Sequence, residues 1–274
     1  MILSNYHTHT VFCDGKCTAD EMAAAAASLG FRRLGFSGHG YVPFEGLFHG
    51  MAPDAMPLYR EAVMEAKRKY AGRLDIFYGV ENDSINMLPA GGFDYTIGSV
   101  HCITCGGAYY SVDSREDITE RAIAAEFGGD GMAYAIAYFK AVEEFASEKR
   151  ADILGHIDLV RRFNAGGARF FDEGDPRYRR AAEGAMAKAA GSGYFVEVST
   201  SPLVKGISGE TYPANFLLKC ARELGAKVVV NSDAHSAAHL NYAFGAAEAA
   251  LAAAGFKERW ELAPGGAFEP VKIN

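Results

Sequence analysis

The stretch MILSNYHTHTVFCDG, residues 1–15, decides the fold because a short apolar run is followed at once by two histidines, His7 and His9. Residues 2–6 have the composition of a buried β-strand. Side chains at alternate positions of an extended chain point the same way, so both imidazoles would project together from the end of that strand. The same combination, a strand that ends in a chemically active side chain, recurs along the whole sequence.

Six further strand-like runs follow, at residues 34–37, 75–80, 95–100, 152–155, 195–199 and 227–231. Helical patterns separate most of them, and these begin at a capping box from Thr18 to Glu21, at Asp130, at Asp175-Pro176 and at Pro213. Alternation of strands and helices predicts parallel strands joined by crossover helices. Seven strands favour an α/β fold of the distorted TIM-like (β/α)7 type in one domain, residues 1–274; an open doubly wound sheet is the alternative.

The composition narrows the class of protein. The net charge of −7 argues against a nucleic-acid partner, since such domains are normally basic. No signal-peptide pattern and no membrane-spanning run is present, so we expect a cytoplasmic protein without a membrane partner. Five cysteines are too few for a disulfide framework, and we expect free thiols. The oligomeric state is left open.

Most of the histidines follow predicted strands. Six of the eight do so, together with two acids, and these residues are His7, His9, His39, His101, His156, His235, Glu81 and Asp233. Only His49 and His239 lie elsewhere. In a parallel barrel all these strand ends share one rim, where active sites are built. Neutral imidazoles and carboxylates are metal ligands, so the pattern predicts metal binding; hydrogen-bonded polar residues at the rim are the alternative.

The number of candidate ligands exceeds the three or four protein ligands that one catalytic zinc takes. More than one ion is therefore expected, and Glu81 is placed to bridge two of them. Neighbouring divalent ions suit the hydrolysis of a phosphate ester, in which a hydroxide activated by the ions attacks phosphorus. Phosphate monoesters are among the slowest bonds to hydrolyse in water, so they require strong charge stabilisation.

The segments HTHTVFCDG, SGHG, GVEND, GSVH, GHID and NSDAH, in this order, resemble those of the polymerase-and-histidinol-phosphatase (PHP) family, and within it the histidinol-phosphatase branch. The resemblance covers nearly the whole chain. It implies a distorted (β/α)7 barrel, two to three divalent metal ions (zinc, iron or manganese, with three in a trinuclear centre) and an enzyme. The implied reaction is hydrolysis of L-histidinol phosphate to L-histidinol and phosphate in histidine biosynthesis.

The resemblance also implies a ligand set, whose first position comprises the catalytic residues His7, His9, Glu81 and Asp233. The second position shares Glu81 with His101 and His156, and the third comprises Asp14, His39 and His235. Asp14 also fits ordinary turn chemistry before the first helix. Family members commonly carry an acid where this chain has Gly38, and its loss could weaken the third position.

Cationic side chains are expected to hold the substrate phosphate. Arg161 and Arg162 follow His156 closely, and Lys205 lies in the loop after the sixth strand. Arg33 precedes the second strand, so it should lie at the opposite rim. Glu197, inside the sixth strand, could balance charge in the barrel or pair with a structural base.

Three other functions fit parts of this pattern. A metal-dependent amidohydrolase shares the first histidine pair but often bridges its metals with a modified lysine, for which no strand-end candidate exists. A PHP phosphoesterase could act on another small phosphomonoester, such as a nucleotide or sugar phosphate. A non-catalytic metal-binding PHP scaffold, like the modules attached to DNA polymerases, is the third alternative.

Overall fold

The computed structural model describes residues 1–42, 50–86, 88 and 91–273, so His49 lies outside the described residues. The strands are β1 Ser4–Asn5, β2 Arg33–Phe36, β3 Asp75–Asp83, β4 Tyr95–Ser99, β5 Cys102–Cys105, β6 Ala108–Ser111, β7 Ile153–Leu154, β8 Phe195–Ser199, β9 Lys227–Asn231, β10 Glu258–Leu262 and β11 Phe268–Lys272. The helices are α1 Ala19–Ser28, α2 Ala55–Lys69, α3 Glu116–Glu126, α4 Gly131–Glu148, α5 Pro176–Gly191, α6 Ser201–Val204, α7 Asn215–Glu223 and α8 Phe244–Ala254.

Seven parallel strands form the main sheet, in the order β1-β2-β3-β4-β7-β8-β9. Its two outer strands meet, because Thr8 and Ala234 form a parallel bridge just beyond β1 and β9. Below that bridge the Tyr6 amide donates to the Asn231 side-chain oxygen at 2.8 Å instead of to backbone. The sheet is thus a nearly closed (β/α)7 barrel, and the doubly wound alternative is wrong.

Aromatic side chains fill the floor of the barrel. Tyr6 packs edge to face against both Phe77 and Tyr95, with ring centroids 6.0 Å apart in each pair, and Leu262 of the β10–β11 hairpin joins this cluster. The Tyr95 ring lies where a Cβ atom on Gly79 would approach within 2.5 Å, so a glycine is needed there. The hairpin therefore covers the amino-terminal end of the barrel and leaves the opposite rim for the site.

The predicted helix starts are confirmed where the sequence carried a cap. Thr18 and Glu21 form the capping box of α1, and the Asp130 and Asp175 side chains accept amide hydrogen bonds at the starts of α4 and α5. The helix predicted from Pro213 begins two residues later, at Asn215. Each cap satisfies amide groups that the first helical turn leaves exposed.

Two further sequence predictions can be compared with the fold. The five cysteines are free thiols. Arg33 lies at the rim opposite the histidines, where its guanidinium pairs with Glu261 at 3.1 Å and Glu269 at 2.5 Å on the β10–β11 hairpin.

Among the described residues, the helices are all too short or too polar to cross a membrane.

Candidate metal centre

The carboxyl ends of the barrel strands bring all nine predicted metal ligands to one rim. His7 and His9 follow β1, His39 follows β2, His101 follows β4 and His156 follows β7. The remaining four are Glu81, Asp14, Asp233 and His235. Glu81 lies inside β3 rather than after it, because the pairing of β3 with β4 continues to Asp83 opposite Ser99.

The Glu81 carboxylate lies at the centre of this cluster and is buried. Its Oε2 is 3.0 Å from His7 Nε2 and 3.0 Å from His39 Nδ1. Its Oε1 is 3.2 Å from His101 Nε2 and 3.1 Å from His156 Nε2. One carboxylate thus faces four imidazoles from four strand ends, the arrangement that a bridging ligand requires.

The other two acids lie toward the mouth of the site. Asp233 Oδ1 is 3.2 Å from His9 Nε2, and Asp14 Oδ2 is 3.1 Å from His235 Nε2. The second Asp14 oxygen is 3.7 Å from His39 Nε2. Asp233 has a left-handed backbone, with φ of 51°, a conformation that aspartate tolerates better than most residues and that clusters at functional sites.

Ligand atoms from these residues form four overlapping groups, each with its atoms within 4.8 Å of one another. The groups are His9, Asp14, His39 and His235; His7, His9 and Asp233; His7, Glu81 and His156; and His39, Glu81 and His101. The structure therefore brings together every predicted ligand, Asp14 included. Four residues, His7, His9, His39 and Glu81, each belong to two groups, and His101 and His156 fall in different groups instead of sharing one as predicted.

The donor atoms of the cluster are better suited to coordinating metal ions than to forming hydrogen bonds with one another. His7 Nε2, His9 Nε2 and Glu81 Oε2 are fully buried, and no well-formed hydrogen bond satisfies them, since their nearest polar neighbours are other ligand atoms of the cluster. A buried polar atom without a partner costs on the order of 1–3 kcal/mol, so three of them directed at one space need a ligand there. Imidazole nitrogen and carboxylate oxygen are the donors that zinc, iron and manganese accept.

The pKa shifts of the clustered side chains also favour the binding of metal ions. Burial alone lowers the pKa of His7, but attraction to Glu197 and Glu81 raises that pKa well above its ordinary value. His101 behaves alike: burial opposes protonation, and Glu81 raises the pKa well above the usual range. By contrast, burial and the neighbouring imidazoles of His235 and His39 lower the pKa of His9 to about 3. The carboxylates thus stabilise positive charge at the places where divalent ions would supply it.

A second set of side chains orients the histidine ligands through contacts to the ring nitrogen that faces away from the site. The His7 Nδ1 lies 2.7 Å from Glu197 Oε1, and the other Glu197 oxygen accepts the His156 amide at 2.9 Å. The His101 Nδ1 lies 3.1 Å from Asp83 Oδ2. These contacts place Nδ1–H on each ring and leave Nε2 free for the site, as partners behind metal-bound histidines usually do. Glu197 therefore contacts a predicted ligand rather than an unrelated base.

The space beside Gly38 is filled by two sulfur side chains. A Cβ atom on Gly38 would lie 3.2 Å from the Met51 methyl carbon and 3.4 Å from Cys13 Sγ. Cys13 Sγ lies 3.6 Å from His9 Nδ1. A thiol thus lies next to Nδ1 of His9, whereas a carboxylate lies next to Nδ1 of His7.

The site opens into a cavity of about 360 Å³. The two arginines after His156 differ sharply there. Arg162 lines the cavity, and its Nε is buried with no hydrogen-bond partner among the described residues. Arg161 does not line it; its guanidinium binds Asp158 at 3.1 Å and Glu173 at 2.8 Å. Lys205 also lines the cavity, with Nζ 3.7 Å from Asp233 Oδ2.

Sequence reasoning missed two parts of the site. Asp83 lies two residues after Glu81 on β3, so strand alternation alone would have placed it beside the cluster. Asp113 lines the cavity from the turn after the β5–β6 hairpin. The Gly106-Gly107 pair, with φ of 55° and 82°, is a turn signal that would have revealed this hairpin.

A parallel barrel with clustered imidazoles and carboxylates at the carboxyl ends of its strands defines a metal-dependent barrel hydrolase. The comparison with family models specifies it further, since the PHP domain matches residues 5–201. The chain belongs to the PHP domain family.

Relatives extend over nearly the whole chain. A Deinococcus radiodurans protein named "Probable histidinol-phosphatase" is 30% identical over 253 residues, covering 88% of this chain and 90% of its own. The histidinol-phosphatase of Bacillus subtilis is 26% identical and covers 87% and 95%.

Solved structures show the same fold. HisK of Listeria monocytogenes aligns with a TM-score of 0.75 at 23% identity, covering 89% of this chain and 99% of its own. The histidinol phosphate phosphatase of Lactococcus lactis, solved with zinc, L-histidinol and phosphate, aligns with a TM-score of 0.70 at 19% identity, covering 97% and 98%. Both likenesses confirm the predicted barrel.

Proposed function

We propose that the chain is a metal-dependent phosphatase that hydrolyses L-histidinol phosphate to L-histidinol and phosphate, as a step of histidine biosynthesis. The observation that carries the proposal is Glu81, a buried carboxylate within 3.2 Å of imidazoles from four strand ends. Membership of the PHP family and relatives named as histidinol-phosphatases support the substrate.

Two or three divalent ions, zinc, iron or manganese, would be held by the clustered side chains. His7, His9, Glu81 and Asp233 would hold the first; Glu81, His101 and His156 the second; and Asp14, His39 and His235 the third. When bound, such ions supply a nucleophilic water at neutral pH and neutralise charge on the phosphoryl oxygens. The sharing of His7, His9, His39 and Glu81 between pairs of groups supports closely spaced positions.

The protein's own side chains would do the remaining work. Glu197 and Asp83 hold the rings of His7 and His101 with Nε2 directed into the site. Arg162 and Lys205 supply positive charge in the cavity for the phosphate oxygens, because neither is bound within hydrogen-bonding distance of a carboxylate in the described structure. We assign Arg161 a structural role, since its guanidinium is already bound to the buried Asp158 and the half-buried Glu173.

The test is phosphate release from L-histidinol phosphate beside a panel of nucleotide and sugar phosphates, after reconstitution with manganese, zinc or iron. We expect strong preference for L-histidinol phosphate, with kcat/KM reduced about 100-fold or more in His9→Ala. His239→Ala, a histidine outside the cluster, is the matched control and should keep full activity. Release only from other esters would move the protein to another phosphoesterase reaction. No release with any metal would favour the scaffold alternative.

A cytoplasmic location, the single domain over residues 1–274 and the lack of nucleic-acid partners stay predictions. None of them bears on the outcome of this experiment.

A further inference from the structure

The cavity beside the metal centre carries one acidic side chain that the metal cluster does not use. Asp113 lies in the turn between β6 and α3 and lines the cavity with Ser114 and Arg115. Later in the sequence, the short 3-10 helix Leu159–Phe163 contributes Arg162 to the same cavity. The wall therefore presents both a carboxylate and guanidinium groups to whatever the cavity binds.

Asp113 is fixed in position by its neighbour two residues earlier. The Ser111 hydroxyl donates to Asp113 Oδ1 at 3.0 Å. The same hydroxyl oxygen accepts the amides of Asp113 at 3.3 Å and Ser114 at 3.1 Å. This local network holds the carboxylate in one orientation, so it is pre-organised for a ligand.

Asp113 attracts the buried His101 imidazole electrostatically, but no arginine or lysine in the described part of the chain forms an ion pair with it. The nearest basic residue in sequence, Arg115, gives its guanidinium to Asp117 through contacts of 2.7 and 3.0 Å. Next to Asp113, the Ser114 hydroxyl is buried and makes no hydrogen bond to a described residue. The half-buried Asp113 carboxylate, which accepts from the Ser111 hydroxyl through one oxygen, and the unpartnered Ser114 hydroxyl leave acceptor positions on the cavity wall for a cationic donor.

We infer that Asp113 determines specificity by binding a cationic nitrogen on the alcohol part of the substrate. The inference rests on the proposed function, because L-histidinol phosphate carries an ammonium group on the carbon next to the one that bears the ester oxygen. With the phosphate at the metal cluster, this ammonium is the substrate's only fixed positive charge, and Asp113 is the acid on the cavity wall outside the cluster. Nucleotide and sugar phosphates without an amine gain nothing from such a group.

The test compares two substrates in the reconstituted enzyme: L-histidinol phosphate and the analogue that lacks only the amine, 3-(imidazol-4-yl)propyl phosphate. In Asp113→Asn we expect kcat/KM for L-histidinol phosphate to fall about 10- to 100-fold, the range for losing a charge-assisted hydrogen bond, with KM taking most of the change. The analogue should change less than about twofold. Asp113→Glu, which keeps the charge, should retain part of the preference for the amine.

Asp20→Asn is the matched control, because Asp20 is exposed and pairs with Lys69 away from the cavity. An equal fall on both substrates in Asp113→Asn would overturn the inference, as would no fall on either. If the wild-type enzyme hydrolyses both substrates equally well, Asp113 does not select the amine, while the phosphatase function stands. If the wild-type enzyme releases phosphate from neither, the proposed function itself fails, and the inference fails with it.

Discussion

His7 and Glu197 are joined by a buried contact of 2.7 Å between Nδ1 and Oε1, at the base of the metal centre. Both side chains are fully buried, and Glu197 Oε1 also accepts the Asn231 side-chain amide at 2.9 Å. The contact fixes which nitrogen of His7 carries the proton. His7 Nε2, which lies 3.0 Å from Glu81 Oε2, is thereby the nitrogen that would donate its electron pair to a bound metal.

Replacing Glu197 by glutamine should weaken metal binding without removing a ligand. Glutamine has the same shape but no charge, and it can present its amide N–H to His7 Nδ1, which favours the wrong tautomer. We expect metal affinity to fall about 10- to 100-fold, measured by titration calorimetry on metal-free protein. Glu183→Gln, on the exposed face of α5, is the control. Unchanged affinity in Glu197→Gln would refute the positioning role.

Replacing Arg161 by alanine should affect stability rather than substrate binding. The guanidinium is buried between Asp158 and Glu173, and its removal leaves the fully buried Asp158 without its charge partner. Breaking a buried pair in this way costs about 3–5 kcal/mol in the free energy of unfolding, measured by urea denaturation. Arg169→Ala, which breaks exposed pairs with Glu116 and Glu120, should cost less than about 1 kcal/mol. Equal stability of the two variants would contradict this account.

Replacing Arg162 by alanine should weaken substrate binding and leave the stability of the protein nearly unchanged. Arg162 lines the cavity, and no carboxylate in the described structure is paired with its guanidinium. We expect KM for the phosphomonoester to rise about tenfold or more, since a charge-assisted contact to phosphate is lost. The midpoint of urea denaturation should stay close to that of the wild type. A KM within twofold of the wild-type value would remove Arg162 from the phosphate site.

The stability of metal-free protein should depend on pH in a way that bound metal abolishes. In the folded chain, burial opposes protonation of His7 and His101, but the acids, Glu197 and Glu81 above all, raise their pKa values well above the unfolded value of about 6.5. Their contribution to stability is therefore complete below about pH 6.5 and is lost as pH rises through the folded pKa values. The pKa of Glu81 is lowered despite its burial, so its contribution is lost in acid.

Thermal unfolding of protein dialysed against a chelator should accordingly give a Tm that falls between pH 6 and pH 9. Bound divalent ions replace the protons, so the fall should be absent after reconstitution with manganese. The comparison of the two samples at each pH removes the effect of every other titrating group. Parallel Tm profiles with and without metal would show that the imidazole cluster does not take up the protons.

The sequence allowed the barrel to be predicted because strand and helix patterns alternate along it, and six of the seven predicted strands end in a histidine or an acid. The lengths of strands could not be predicted as well: β1 and β7 pair over only two residues, although apolar runs of four or five suggested more. Pairing depends on where the neighbouring strands lie, which a local pattern does not contain. The two short hairpins were missed because their strands are partly exposed and lack a continuous apolar run.

The metal ligands could be predicted from the sequence, but the other residues of the cavity wall could not. All nine predicted ligands converge, since parallel strands bring their carboxyl ends to one rim regardless of the loops. The arginines could not be told apart, because Arg161 and Arg162 are adjacent in sequence. Only the fold shows that one faces Asp158 and the other faces the cavity. Asp113 likewise lies on a connection whose path no periodicity encodes.

The bridge between Thr8 and Ala234 has a consequence for how the protein is made. The Ala234 amide donates to the His7 carbonyl at 3.0 Å, and the His9 amide donates to the Ala234 carbonyl at 2.9 Å. Ligands that follow the two outer strands of the barrel sheet, β1 and β9, are thus held together across more than two hundred residues of chain. A polypeptide emerging from the ribosome displays its first histidine pair long before the segment with Asp233 and His235 is synthesised. The two ligand groups that contain Asp233 or His235 can therefore be completed only after the ninth strand has formed, so loading of these positions is a late step in maturation.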